Sequence, residues 1–329
     1  MTATITRRQF GVGAAALGAA AATGLPLSAQ AAMTLKYGNA GNINSISNQF
    51  AVKLFETVKA RTNGEISTEV FAGTLGGEKT LVEGLALGTL DTCITAYTGT
   101  REFDIFYSPF FFRDGAHAGR VVNGPLRERA GKVLEEKYNA KFLGIGRLGR
   151  WCLFVQEPID SLADIKGMKI RAPQIEGNIR SLEHLGANPT PVPFNEVYTA
   201  LQQGLVDGMV TSLNVAVTFK FYEACKYVVQ NEFGLGLDKL MVAQRVWDRF
   251  TPEQQGIVQS TFDELEPADY FQKGEDVVPS DLKAWEDNNG AGTVLKIDPA
   301  AAMEAMAPLN KQMAEEVYGA GTWEEIQKL

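Results

Sequence analysis

The hydrophobic pattern between Leu35 and Thr95 switches back and forth between the strand and helix periods, and few folds accommodate that. Leu35 to Gly38 reads as a short strand, and after Asn44-Ser45 the apolar residues Phe50, Ala51, Leu54, Phe55 and Val58 recur at helical spacing until Gly64. Ile66, Thr68 and Val70 then alternate as a half-buried strand. Leu81, Val82, Leu85 and Ala86 give a second helical stripe closed by Gly88, and Thr92 to Thr95 is a β-branched, buried run. Parallel strands need long crossovers, so the order β-α-β-α-β predicts an α/β fold with a parallel sheet covered by helices.

The same construction returns later. Leu85-x-x-Gly88-x-Leu90-Asp91, ahead of the strand at Thr92, is echoed by Leu201-x-x-Gly204-x-Val206-Asp207 ahead of a strand at Met209. Two α/β lobes facing each other create a cleft at the carboxyl ends of their strands, with ligand-facing loops that begin near Tyr97 and Thr211. The chain would cross between lobes at Gly146 to Gly149 and at Phe233 to Gly236. This gives a first lobe of residues 32–148 plus about 236–275, and a second of 149–235 with the C-terminal helices of about 276–329. Thr251-Pro252-Glu253 starts a supporting helix, and Met303, Met306, Leu309, Met313 and Val317 form a packing stripe in the last long one.

The first thirty-one residues read as an address. The twin-arginine pair of Thr6-Arg7-Arg8-Gln9-Phe10 precedes a Gly/Ala-rich apolar run from Gly11 to Leu27 and a small-residue site at Ala29-Gln30-Ala31. That run is broken by Pro26 and falls short of the roughly 20 apolar residues of a membrane span. Export by the twin-arginine route to the periplasm is the expectation. Lys and Arg total 31 against 39 Asp and Glu, a net charge of −8. Such an acidic chain has no electrostatic footprint for nucleic acid.

Catalytic constellations are missing. Gly144-Ile145-Gly146-Arg147-Leu148-Gly149 satisfies the dinucleotide pattern, yet it runs into a strand at Trp151 to Val155 instead of opening a helix, so these glycines are read as letting the chain change lobes. The two histidines, His117 and His184, lie far apart, with His117 read as helix surface and His184 as packed on its helix. No metal or cofactor site is expected. Cys93, Cys152 and Cys225 read as core thiols. No catalytic residue is assigned. What does stand out is a pair of arginines, Arg150 at the start of the Trp151-to-Val155 strand and Arg171 at the end of Met168-Lys169-Ile170-Arg171. A planar guanidinium holds a carboxylate with two parallel bonds, which makes it a natural anion anchor in a cleft.

Lys166-Gly167-Met168-Lys169-Ile170-Arg171-Ala172-Pro173, then Leu185-Gly186-Ala187-Asn188-Pro189, then Val192-Pro193-Phe194-Asn195-Glu196-Val197-Tyr198 through Asp207-Gly208 resembles the solute receptors of tripartite ATP-independent periplasmic (TRAP) transporters. Asn39-Ala40-Gly41, Gly73-Thr74-Leu75-Gly76, Gly88-Thr89-Leu90-Asp91 and Ser108-Pro109-Phe110 extend the resemblance in order. It implies a two-lobed receptor, not an enzyme, that closes on a monocarboxylate, 2-oxo or hydroxy acid or sugar acid and delivers it to membrane permease subunits. It also implies that Arg171 pairs with the ligand carboxylate, and that a second family arginine falls on Arg150, or alternatively on Arg147. Asn39 matches a ligand-contacting Asn, Phe194 matches an aromatic packed on the ligand, and Tyr97 with Thr98 occupies the facing loop. Sugar-acid receptors of the family carry Asp-Gly-x-Glu-Asn where this chain reads Asp207-Gly208-Met209-Val210-Thr211, followed by Ser212-Leu213-Asn214. With Thr211 in place of that Asn, and Asn214 further on, a smaller or less hydroxylated acid is expected. The alternatives are a receptor for an ABC importer and a secreted enzyme acting on an organic acid.

Overall fold

The computed structural model describes residues 32–231 and 233–329; the export segment 1–31 read from the sequence lies outside them. The alternation is present as β1 (Met33–Asn39), α1 (Ile46–Arg61), β2 (Ile66–Ala72), α2 (Glu78–Leu87) and β3 (Thr92–Thr95). Ser45 caps α1 by accepting from the Asn48 N–H, and Gly88 ends α2 in the left-handed conformation. β2 and β3 flank β1 as parallel neighbours. A second unit repeats this order with β5 (Lys169–Ala172), helix Glu176–His184, β6 (Asn188–Pro191), helix Val197–Gln202 and β7 (Gly208–Ser212), with β6 and β7 parallel on either side of β5.

The sequence echo is one junction built twice. The Asp91 N–H donates to the Lys36 carbonyl while the Lys36 N–H donates to Asp91 Oδ2, and Asp207 makes the same pair of bonds with Lys169. Gly88 and Gly204, at φ +80° and +66°, end the preceding helices so that each Asp reaches the start of its central strand. Both units therefore present their strand ends in the same sense.

One long strand joins them. β4 (Ala140–Val155) pairs antiparallel with β9 (Leu235–Ala243) from Ala140 to Arg150, and β9 continues onto β3. From Trp151 to Val155, β4 pairs with β7, and its last three residues also meet β8 (Tyr227–Val229). A register shift between Arg147 and Gly149, with Gly149 at φ +105°, marks the passage from one sheet to the other. The strand begins at Ala140, not at Arg150 as the sequence suggested, so the glycine run lies inside it. A Cβ at Gly144 would fall 2.2 Å from the Phe262 ring, and one at Gly146 would fall 1.9 Å from the Tyr270 ring. These two glycines admit aromatic rings to the sheet; of the run's three, Gly149 marks the crossing.

Those rings come from one helical path that touches both sheets. Thr251 and Gln254 form a reciprocal cap at the start of helix Pro252–Glu266, which continues through a π-helical segment, Pro267–Gln272, and a short turn to helix Val278–Asn289. Tyr270 stacks on Phe50 of α1 at 4.5 Å, whereas Trp285 packs at 4.9 Å on Phe154 in the second half of β4. In helix Pro299–Tyr318 the stripe from Met306 to Val317 is buried, whereas Met303 is exposed. The three cysteines are buried. His117 is buried, not on the surface, because the C-terminal helix Thr322–Lys328 covers it: its Nε2 meets the Ile326 carbonyl and its Nδ1 accepts from the Arg113 N–H. The His184 ring instead meets the Ala305 carbonyl across to the last long helix.

Glu266, at the end of its helix, is buried, and its Oε1 has no hydrogen-bond partner among the described residues. Burial pushes its carboxyl up to about 7, opposed by the positive charge of Arg127 and aided by Asp263. The unfolded chain releases this proton near 4.5, so between about pH 4.5 and 7 the folded form binds more protons and stability falls as pH rises. Glu266→Gln should therefore melt at a higher temperature than the parent at pH 8 and at the same temperature at pH 4, as thermal unfolding at the two pH values would show.

A candidate ligand cleft between the two sheets

The carboxyl ends of β1 and β3 face those of β5 and β7 across one cavity, where open α/β sheets place ligands. It holds about 490 Å³ of non-atom space including its mouth, and Asn39, Glu78, Trp151, Arg171, Phe194, Thr211 and Asp238 are among the residues of its wall.

Arg171, in β5, is 3% exposed and is the one basic side chain on that wall among the described residues. Its Nε donates to the Val192 carbonyl at 3.0 Å and its Nη1 to the Val210 carbonyl at 3.2 Å, which fixes the plane of the guanidinium. Burial pulls its pKa down to about 10 while the negative charge of Glu78 holds it up, so the group is charged at neutral pH. Phe194 stands edge-on to Phe219 at 4.9 Å, giving the cavity an aromatic flank. Asn39 is on the wall, but its amide is committed to β3, α1 and the loop after β1. Its Nδ2 donates to the Ile94 carbonyl at 2.8 Å, and its Oδ1 accepts from the Gly41 N–H at 2.7 Å and from Asn48. Thr211 faces the cavity from β7.

Other predicted residues are elsewhere. Tyr97 lines the outer cleft with Lys79, Arg171 and Phe194. Thr98 is turned away, its hydroxyl paired with that of Thr100 at 2.9 Å. Asn214 donates to Asp281 at 3.1 Å outside the cavity wall. Neither candidate for the second arginine reaches the cavity. Arg150 Nη2 is 2.7 Å and Arg147 Nη2 2.8 Å from the carboxylate of Glu275. The register shift between Arg147 and Gly149 interrupts the two-residue alternation of the strand, so Leu148 and Trp151, three apart, both line the cavity while Arg147 and Arg150 meet on Glu275. Trp151 lines the cavity instead, and its indole N–H is buried without a partner among the described residues.

Two acidic residues were missed. Glu78, in the first turn of α2, accepts from the Ala96 N–H at 2.8 Å, and its pKa is raised by burial and by the nearby charge of Asp238. Asp238, 1% exposed in β9, accepts on Oδ2 from the Ser47 and Tyr270 hydroxyls. Burial raises its pKa, and these two donors oppose the rise. The signal was available as two adjacent charges, Asp238 and Lys239, in an otherwise apolar strand. Lys239 is not on this wall; it donates to the Leu237 carbonyl at 2.8 Å and to Tyr107, and burial brings it down to about 8.

Residues 38–317 match the family model described as DctP, bacterial extracellular solute-binding protein, family 7. The chain is 32% identical over 230 residues to solute-binding protein RD1_1052 of Roseobacter denitrificans, covering 69% of this chain and 71% of that one. The crystal structure of that protein with bound L-galactonate superposes with a TM-score of 0.78 at 27% identity, covering 91% of this chain and 99% of the other. The 2,3-diketo-L-gulonate-binding periplasmic protein YiaO of Escherichia coli is 30% identical over 243 residues, 71% of this chain and 73% of that one. A TRAP periplasmic solute-binding protein from Polaromonas bound to D-erythronate gives a TM-score of 0.81 at 26% identity, covering 90% of this chain and 98% of that one. The chain belongs to the bacterial extracellular solute-binding proteins of family 7, the two-lobed periplasmic receptors of TRAP transporters.

Proposed function

We propose that this receptor captures an organic acid with its carboxylate on Arg171, between a first lobe of 32–148 and about 236–275 and a second of 149–235 with the C-terminal helices. It then releases the acid to TRAP permease subunits without chemical change. The twin-arginine segment would send it to the periplasm. The observation that carries the reading is a buried guanidinium, oriented by two carbonyls and with no carboxylate partner among the described residues, on the wall of an otherwise uncharged or acidic cavity. Such a group is compensated when an anionic ligand enters. The acids bound by the Roseobacter and Polaromonas proteins support the class.

The test is a thermal-shift screen of organic acids on residues 32–329, followed by mass analysis of the recovered ligand. A true ligand at 100 times its Kd should add about 2.7 kcal/mol of stability, and it should be recovered intact; recovery of an altered compound would favour an enzyme. Because Trp151 lines the cavity, the same ligand should change tryptophan emission in the parent and not in Trp151→Phe. An equal change in both would place the ligand away from this wall.

A further inference from the structure

Asp238 is buried, lines the cavity, and has its two oxygens used unequally. Oδ2 accepts from both Ser47 and Tyr270, while Oδ1 accepts no hydrogen bond among the described residues. Ser47 projects from α1 and Tyr270 from the π-helical segment, so the carboxylate is held from two elements and cannot turn to spend Oδ1 elsewhere. An acceptor that opens on the cavity needs a donor once a ligand displaces the solvent there. Among the described residues the cavity wall around it supplies a second carboxyl, Glu78, and no basic group other than Arg171.

We propose that Asp238 is a specificity-determining residue: its free oxygen accepts a hydrogen bond from a hydroxyl of the bound acid, so the receptor selects hydroxylated monocarboxylates and rejects dicarboxylates. The proposal rests on the reading that Arg171 takes the ligand carboxylate. Once that guanidinium is engaged, a second carboxylate on the ligand would meet Asp238 and Glu78, which repel it and give it no donor. A hydroxyl at the same place donates to Oδ1 and leaves no charge to compensate. A plain alkyl acid would enter without repulsion but leave Oδ1 buried and unpaired.

The experiment is calorimetry on residues 32–329 with two matched series: D-erythronate, butyrate and succinate with four carbons, and L-galactonate, hexanoate and adipate with six. In at least one series the hydroxy acid should bind at least tenfold tighter than the alkyl acid and at least a hundredfold tighter than the dicarboxylate. In Asp238→Asn the preference over the dicarboxylate should shrink at least tenfold. A dicarboxylate that binds as tightly as its hydroxy acid, or an unchanged preference in Asp238→Asn, overturns the proposal. The parent-protein series decides it alone should the variant not fold. Binding that survives Arg171→Lys undiminished would instead overturn the anchor on which the proposal rests, and failure of all six acids to bind would overturn both.

Discussion

Arg171→Lys should weaken binding of the receptor's organic acid at least tenfold, an effect of about 1.5 kcal/mol or more. The guanidinium spends Nε on Val192 and one Nη1 hydrogen on Val210, and these two carbonyls set its plane, leaving the Nη2 edge for the ligand. An ammonium keeps the charge but has one nitrogen in place of three. If it follows the ligand, two carbonyls lose their donor in a buried site; if it stays with the carbonyls, the carboxylate loses its anchor. Either outcome lowers affinity. Arg171→Met removes the charge as well and should lose more, because the ligand carboxylate would then face Glu78 and Asp238 unopposed. Titration calorimetry of the parent and both variants is the measurement, with the melting temperature of each free protein as the control for folding. Affinities within a factor of two of the parent for Arg171→Lys would remove Arg171 from the site.

The fold was legible wherever period and punctuation coincide. Ser45, Gly88, Thr251 and the two Asp junctions are local signals, each satisfied by bonds within a few residues or to the adjacent strand, and each stands in the structure where the sequence places it. Arg171 is on the wall for a similar reason, since it closes a short central strand that points into the cleft. Arg150 could not be placed that way. Whether it or Trp151 faces the ligand depends on which side of β4 the cavity lies, a matter of register across a strand whose start at Ala140 is concealed by glycines. Asp238 and Ser47 meet across 191 positions of sequence, and no local pattern predicts such a meeting.

Gly146→Ala should cost about 3–5 kcal/mol of stability, because the residue packed on it has no alternative position. The backbone at Gly146 does not adopt positive φ, so alanine meets no conformational penalty. Its Cβ, however, would lie 1.9 Å from Cδ1 of Tyr270. That ring stacks on Phe50 at 4.5 Å, and its hydroxyl donates to Asp238. Turning the ring away breaks both contacts and leaves a buried carboxylate with one donor fewer; keeping it requires the π-helical segment to lift off β4. For a chain of this length each kcal/mol corresponds to about 2–4 °C or somewhat less, so a loss of roughly 5–15 °C is expected. Removing the ring should remove the conflict: in a Tyr270→Ala background, Gly146→Ala should cost less than about 1 kcal/mol, a coupling that a double-mutant cycle by denaturant unfolding would measure. A melting temperature for Gly146→Ala within 2 °C of the parent, about the effect of a single small repacking, would show that the strand yields at this point. The glycine would then have no bearing on how Tyr270 is held against Asp238.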